Sequence, residues 1–561
     1  MSRLAGIRVD RRRRWVDRAT SALVGAAGVG VLGTILLMLL YLFWEVTPLL
    51  QPAAISYSHS EAAGDGALLP GGRGPDPASP ALLAGLETAG LLARPAGPSV
   101  RLAGGRAVLV ATGDGELLEF GRTSAAPDRP WALFRRLDSG GLPVRWLVAE
   151  PQRAVVFALA ADGRLQAWHT AAERRLFATR LPRAAGAEAV AVAADGTAFA
   201  VRVGETVHHY RVRNPHPEVS FTSLWASAWH PDYPAPARVW QSSPAGAGDE
   251  PKLNLAPLAL GTFKAALYSM LFAAPLGVLA AVYTAYFMAR PLRRVVKPGI
   301  ELMEAVPTVV LGFIAGLWLA PRVEHALAGV LAAPLVLVAG VVAVGALWSS
   351  LPGRWRRRVP LGYRPLLMLP VVALLAWASV AASPLIETAC FGGDVSGWLE
   401  REFGIAYQQR NALVVGMAMG FAVLPTVFSI TEDAIFSVPR GLSDGSLALG
   451  ATRWQTLTGV VLPTASPGIF SALMIGLGRA IGETMIVLMA TGNTPILDVD
   501  PFTGLRSLSA NIAMEAPESI VGSTHFRVLF LAALLLFAFT FVINTLAELV
   551  RQRLRYRYAA G

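Results

Sequence analysis

Apolar and polar positions are patterned on two length scales along this chain. Runs able to cross a bilayer as a helix, roughly 17 to 25 residues each, can be drawn at 21–44, 262–288, 298–319, 326–347, 366–382, 411–430, 469–490 and 527–550. The third and fourth are nearly continuous and the fifth is short. Between the first and second the period changes. Val108–Gly115, Val156–Gly163 and Ala189–Gly196 each read as an apolar strand ending in Asp-Gly, and Glu116–Phe120, Arg164–Trp168 and Thr197–Val203 read as the strands that follow. Asp-Gly between apolar strands signals a hairpin, because both central residues can take positive φ. The pairs stand 48 and 33 residues apart, bracketing the roughly 40-residue period of propeller blades. This predicts a propeller-like, partly degenerate β-domain, with an unrelated antiparallel sandwich as the alternative. Ser56–Pro98, rich in Gly, Ala, Pro and Ser, reads as a linker.

Composition supports the same division. At 54% hydrophobic and 16% charged residues, with mean hydropathy +0.48, the chain falls among membrane proteins. The predicted class is an α-helical integral membrane protein of about eight transmembrane helices, with an inserted all-β domain. Residues 1–54 form an Arg-rich start and first helix, 55–255 the β-rich insertion, and 256–561 the remaining membrane unit, with a polar loop near 431–468. The first run ends in Trp44-Glu45 without a small-residue cleavage site, so it is expected to stay as an anchor. Its Ala22, Ala26, Gly30 and Thr34 form a small-residue stripe suited to helix packing, or simply reflect an Ala/Gly-rich composition.

The net charge of +11 does not point to nucleic acid. Arginines gather at Arg11–Arg14 and Arg18, at Arg290, Arg293 and Arg294, at Arg354 and Arg356–Arg358, and at Arg551, Arg553, Arg555 and Arg557. With eight spans and a cytoplasmic N-terminus, every cluster falls on the cytoplasmic side. The insertion is then extracytoplasmic and both termini are inside. The single cysteine, Cys390, allows no intrachain disulfide.

Two stretches carry candidate chemistry. Asp444-Gly445-Ser446 is followed after three residues by Gly450 and after nine more by Val460-Val461-Leu462-Pro463. Ser443 reads as an N-cap, Gly450 as the turn after a short helix, and Pro463 and Pro467 as breaks before the next apolar helix. Downstream, Gly478-Arg479-Ala480-Ile481-Gly482-Glu483-Thr484 puts two opposite charges one turn apart in an apolar helix. Such charges belong in a bundle interior or an aqueous path. They form either a structural salt bridge or an anion-path Arg479, whose fork suits oxyanions, balanced by Glu483.

Other features carry less. None of the three lysines, Lys252, Lys264 and Lys297, follows a Gly, so no phosphate-binding loop for nucleotide hydrolysis is present. Gly441–Gly445 matches a nucleophile elbow only in letters, since it follows a membrane helix. His208, His209, His216 and His230 are irregularly spaced without a carboxylate cluster and read as solvated or packed, not metal-binding. Asp498 and Asp500 read as a solvated loop.

The Asp444–Pro463 spacing resembles the coupling loop of ABC importer permeases, with Asp444 where that family places Glu. Ala448–Trp454, Arg479–Thr484, Lys297–Glu301, Ala305–Phe313, Leu424-Pro425-Thr426 and Val438–Arg440 narrow the resemblance to phosphate-specific permeases of the PstC type, in a longer variant with an external β-domain after the first helix. Residues 233–319 and 411–550 carry it well, the first helix weakly, and 320–410 and the insertion not at all. The resemblance implies a non-enzymatic permease subunit for inorganic phosphate in a bacterial inner membrane. It implies ABC ATPase subunits that bind ATP and Mg, no cofactor in this chain, a second permease subunit or copy, and an external phosphate-binding protein. Arg479, Glu483 and Thr484 would line the path, while Asp444, Gly450, Ala451, Arg453, Leu462 and Pro463 would couple to the ATPase. The alternatives are a permease for another oxyanion or small solute, and a non-transporting sensor or scaffold that uses its β-domain.

Overall fold

The structure, a computed structural model, describes residues 11–64, 68–92, 96–102, 105–124, 131–231, 233–244, 250–350, 352 and 367–559. The Arg354 and Arg356–Arg358 cluster lies outside the described residues, as do the side chains of Arg11–Arg14, Arg555 and Arg557. Among the described residues six helices are long and apolar enough to cross a membrane, and two bent helix pairs bring the number to eight if each pair is one span.

The first helix, α1 (Arg11–Val46), leads into the β-rich insertion. Its stripe residues Ala22, Ala26, Gly30 and Thr34 are exposed. The strands are β1 (Ala54–Ala62), β2 (Ala96–Leu102), β3 (Ala107–Thr112), β4 (Glu116–Arg122), β5 (Trp131–Asp138), β6 (Val144–Ala149), β7 (Val155–Ala160), β8 (Arg164–His169), β9 (Arg174–Arg180), β10 (Ala189–Val192), β11 (Ala198–Val203) and β12 (Thr206–Arg213). They build three four-stranded antiparallel sheets, ordered β2-β3-β4-β5, β6-β7-β8-β9 and β10-β11-β12-β1. The sheets stack face to face like blades. Val100, Leu109 and Leu117 meet Leu147, Val156 and Trp168 between the first two. Phe157 and Leu165 meet Val190, Phe199 and Tyr210 between the second and third.

The propeller-like expectation is met by three blades, not a closed ring, among the described residues. The two outer faces are covered by the stretch read as a linker. Helix α2 (Pro80–Thr88) sets Leu86 against Val108, Val110 and Phe120, and Leu69 covers Ala191, Ala200 and Val207. The linker reading therefore needs correction: Ala54–Ala62 is the edge strand of the third sheet, and its successors are lids over apolar surface that water would otherwise contact.

The hairpins fall where the Asp-Gly signals stand, but their geometry differs. Gly115, Gly163 and Gly196 have φ of +84°, +82° and +71°, whereas the preceding Asp residues stay at negative φ. Each Gly N–H bonds back three residues, as Gly163 does to the Ala160 carbonyl at 3.1 Å. Asp162 and Asp195 accept the N–H of Arg164 and Thr197 at 3.1 and 3.0 Å. The first two are three-residue loops ending in a left-handed Gly and the third is longer, with Gly196 followed by Thr197, so none is the two-residue loop expected.

The chain returns through α3 (Phe221–Trp225) to α4 (Ala256–Val282), then α5 (Arg290–Leu302), α6 (Thr308–Ile314), α7 (Ala320–His325) and α8 (Leu327–Ser350). The expected third span at 298–319 is not straight. Arg290–Ala305 and Thr308–His325 meet at 84°, because Pro307 forces the extended conformation on Val306. The expected fifth span is Met368–Ala381, bent by 49° into Ser383–Phe403. Helices Ala412–Phe436 and Thr524–Ala559 supply the sixth and eighth. The seventh begins at Arg453, well before 469, and stops at Gly482.

Helix 412–436 is the centre of the bundle and packs closely on α4. A Cβ at Gly416 would stand 2.6 Å from the Tyr268 Cβ, so only Gly permits this approach. The insertion rests on the same end of the bundle: Trp240 donates to Glu515 at 3.1 Å, and His216 Nδ1 lies 2.8 Å from Thr524 Oγ1. Burial, with the nearby Arg527 and Arg153 charges, pushes His216 down to about 4. Burial, with Arg135 and Lys252, pushes His230 to about 3. Both are packed neutral groups.

Candidate translocation site and coupling surface

Helix α5 runs beside the last turns of helix 412–436 and exchanges polar contacts with it along its length. Arg293 and Lys297 reach the fully buried Glu432, Lys297 also reaches Asp433 at 2.7 Å, Ser429 donates to Glu301 at 3.4 Å, and Thr426 donates to Glu304 at 3.1 Å. The ladder ends at the Pro307 bend. There Arg479, from the helix Leu462–Gly482, closes an ion pair with Glu304 and donates to Thr426 Oγ1 at 2.8 Å. The Arg479 and Glu304 side chains are 30% and 47% exposed. A half-exposed ion pair inside an apolar bundle is costly against lipid, so it must front water or another subunit.

The expected partnership of Arg479 with Glu483 is not formed. Helix 462–482 ends one residue before Glu483, whose ψ of 130° turns the chain away and removes the i, i+4 relation. The Glu483 carboxylate instead accepts the N–H groups of Met485 and Ile486 at 3.2 and 3.3 Å, capping the short helix Met485–Ala490. Thr484 donates to the Gly482 carbonyl at 3.3 Å, and the Glu483 carbonyl accepts Ser509 Oγ at 2.9 Å. Sequence reasoning thus missed Glu304 and Thr426. Thr426 stands inside a stretch already marked by resemblance, and Glu304 falls between two of them, where an unassigned carboxylate ahead of an apolar helix was the available signal.

Asp498 also departs from its solvated reading. Lys264 on α4, 1% exposed, places Nζ 2.5 Å from Asp498 Oδ1 and 2.7 Å from Thr503 Oγ1. Asp500 accepts the Phe502 N–H at 2.8 Å. The loop is pinned to the helix end by a buried ammonium that would otherwise be unpaired.

At the far end of the bundle from the insertion, Arg440–Ala448 forms a short helix. Its N-cap is Pro439, not Ser443, which lies in the first turn and donates to the Arg440 carbonyl at 3.2 Å. Gly450 has φ +90° and completes a Schellman end: its N–H bonds the Leu447 carbonyl at 3.0 Å, and Ala451 N–H bonds Ser446 at 3.2 Å. A capping box follows, with Thr452 Oγ1 accepting from Gln455 N and Gln455 Oε1 accepting from Thr452 N. The helix opened there continues through Pro463 and Pro467. A π-turn at Leu457–Val461 accommodates Pro463, so the expected break is absent. Leu449 and Trp454, 92% and 66% exposed, flank Gly450. With exposed Asp444 and Arg453 they form one apolar-and-charged protrusion, while Ala451, Leu462 and Pro463 are half-buried behind it.

The family described as "Binding-protein-dependent transport system inner membrane component" matches residues 273–556. The chain is 26% identical over 304 residues to the probable ABC transporter permease protein YqgH of Bacillus subtilis, covering 54% of this chain and 74% of that one. It is 27% identical over 306 residues to the phosphate transport system permease protein PstC of Mesorhizobium japonicum, covering 54% and 75%. A chain of the inward-facing MetNI methionine ABC transporter aligns with a TM-score of 0.28 and 16% identity, covering 54% of this chain and 94% of that one.

Proposed function

Because this chain belongs to the family of binding-protein-dependent transport system inner membrane components, we propose that it is the permease subunit of an ABC importer that moves inorganic phosphate into the cell. The single observation that carries the substrate reading is Arg479, a guanidinium held half-exposed inside the bundle by Glu304 and Thr426. A tetrahedral oxyanion can take the donors that Glu304 engages, and Glu304 holds them in place when the anion is absent. The Pst names of relatives agree with this chemistry. Thr484 bonds the last carbonyl of the same helix, and Glu483 caps the next one, Met485–Ala490.

The energy is supplied elsewhere, by ATPase subunits that bind ATP and Mg. Leu449, Trp454, Asp444 and Arg453 around Gly450 form the surface on which they would press. Movement of that short helix would pass into helix 453–482, and so to Arg479. A second permease subunit or copy would complete the path beside the exposed Glu304, and an external binding protein would deliver phosphate.

Uptake of radiolabelled phosphate by cells lacking their own importers, supplied with this chain and its partner subunits, is the direct test. Accumulation that stops on ATP depletion and is not displaced by excess sulfate is expected. Uptake of sulfate in place of phosphate would move the assignment to another oxyanion.

The described Arg290, Arg293, Arg294, Arg551 and Arg553 stand at the end opposite the insertion, which under the positive-inside rule makes that end cytoplasmic. In a Cys390→Ser background, Ser124→Cys is expected to react with an impermeant thiol reagent in outer-permeabilised cells and Asp444→Cys to stay unlabelled until lysis. The reverse pattern would invert the topology.

A further inference from the structure

Strand β1 and strand β12 lie far apart in the chain, yet their antiparallel register sets His59 directly opposite His209. Residues two apart on a strand share a face, so Glu61 joins them. A bulge between Tyr57 and His59 turns Tyr57 away, toward the Tyr210 ring on the other face. The result is a compact group: His209 Nε2 lies 2.9 Å from Glu61 Oε1, the two imidazoles stack at 4.5 Å, and one donor atom from each residue lies within 4.8 Å of the others. His209 is buried and fixed, while His59 and Glu61 are exposed.

We propose that His59, Glu61 and His209 bind a zinc ion that clips β1 to β12. Two imidazoles and a carboxylate make a zinc donor set, with the fourth tetrahedral position left to water. A tetrahedral ion with bonds of roughly 2.0 to 2.2 Å needs donors about 3.3 Å apart. Glu61 and His209, 2.9 Å apart, need to part only slightly to reach that spacing, and rotation of the exposed His59 ring supplies the third donor. The ion would lock the edge strand that joins the first membrane helix to the third sheet. The inference rests on strand register and is independent of the transported substrate.

The test uses full-length protein without a histidine tag in the Cys390→Ser background, titrated with zinc against a chromogenic chelator. About one equivalent is expected to bind, and zinc is expected to raise the unfolding temperature. His59→Gln and Glu61→Gln, both at exposed positions that should not disturb folding, should each weaken binding more than about tenfold and remove the thermal shift. Magnesium and calcium, which seek oxygen ligands, should not compete. Failure of the parent protein to bind zinc, equal binding by both variants, or displacement by magnesium would overturn the site.

Discussion

Replacing Arg479 with Gln should cut phosphate uptake by roughly 100-fold or more, the equivalent of about 3 kcal/mol in rate, while assembly with the ATPase persists. The variant loses the charge-assisted bonds to Glu304 and Thr426 and leaves the Glu304 carboxylate facing an incoming anion. Both effects act against transport. Glu304→Gln should behave differently, keeping the guanidinium free for substrate but less well held. A purely structural pair makes the opposite forecast: Arg479→Gln with Glu304→Gln would restore uptake, since each charge would be needed only by the other. Uptake near the parental level in that double variant would remove Arg479 from the path. Glu483→Gln supplies an internal comparison. Its amide oxygen can still cap the 485–490 helix, so a loss of about 1 kcal/mol or less in stability and a small change in uptake are expected.

The second large effect is expected at Gly450. Its φ of +90° excludes most side chains, although open space surrounds a Cβ placed there. Substitution therefore acts through the backbone and not through a clash. A left-handed conformation costs an ordinary residue roughly 1 to 2 kcal/mol, and a β-branched residue more. Gly450→Val should unwind the Schellman end and tilt the Arg440–Ala448 helix, so that binding-protein-stimulated ATP hydrolysis and uptake part company. Gly450→Asn should be tolerated best and Gly450→Ala should fall between. Coupling that follows the order Gly, Asn, Ala, Val would trace the effect to φ; full coupling in the Val variant would reject it.

What the sequence made legible was set by range. The Gly450-to-Pro463 spacing, the strand pairs and most spans rest on contacts within a few residues or on hydropathy summed over a helix. The Arg479 site was half legible. The buried charge stood out, but its partner was assigned by proximity in the chain, and the true partner, Glu304, lies 175 residues away. His59 and His209 are farther from local rules still, because only the β1–β12 register joins them. Pro463 and Pro467 misled because a π-turn, which no residue pattern announces, let the helix continue. The covering role of Leu69 and α2 was hidden because a Gly- and Pro-rich composition resembles a linker whether or not its few leucines find a surface.

Strand β1 also fixes an order of events during synthesis. It is the first of the twelve strands of the three sheets to leave the ribosome, and its partner, Thr206–Arg213, is the twelfth. The third sheet therefore cannot close until the chain has been made through Arg213, and the loop-closure entropy of that long segment is met in one late step. Until then α1 sits in the bilayer attached to an unpaired strand, whose open edge can recruit the wrong partner. A nascent chain that stalls before Thr206 is thus an anchored aggregation hazard, and the same late pairing returns the chain beside α1 for α4 to begin the rest of the bundle.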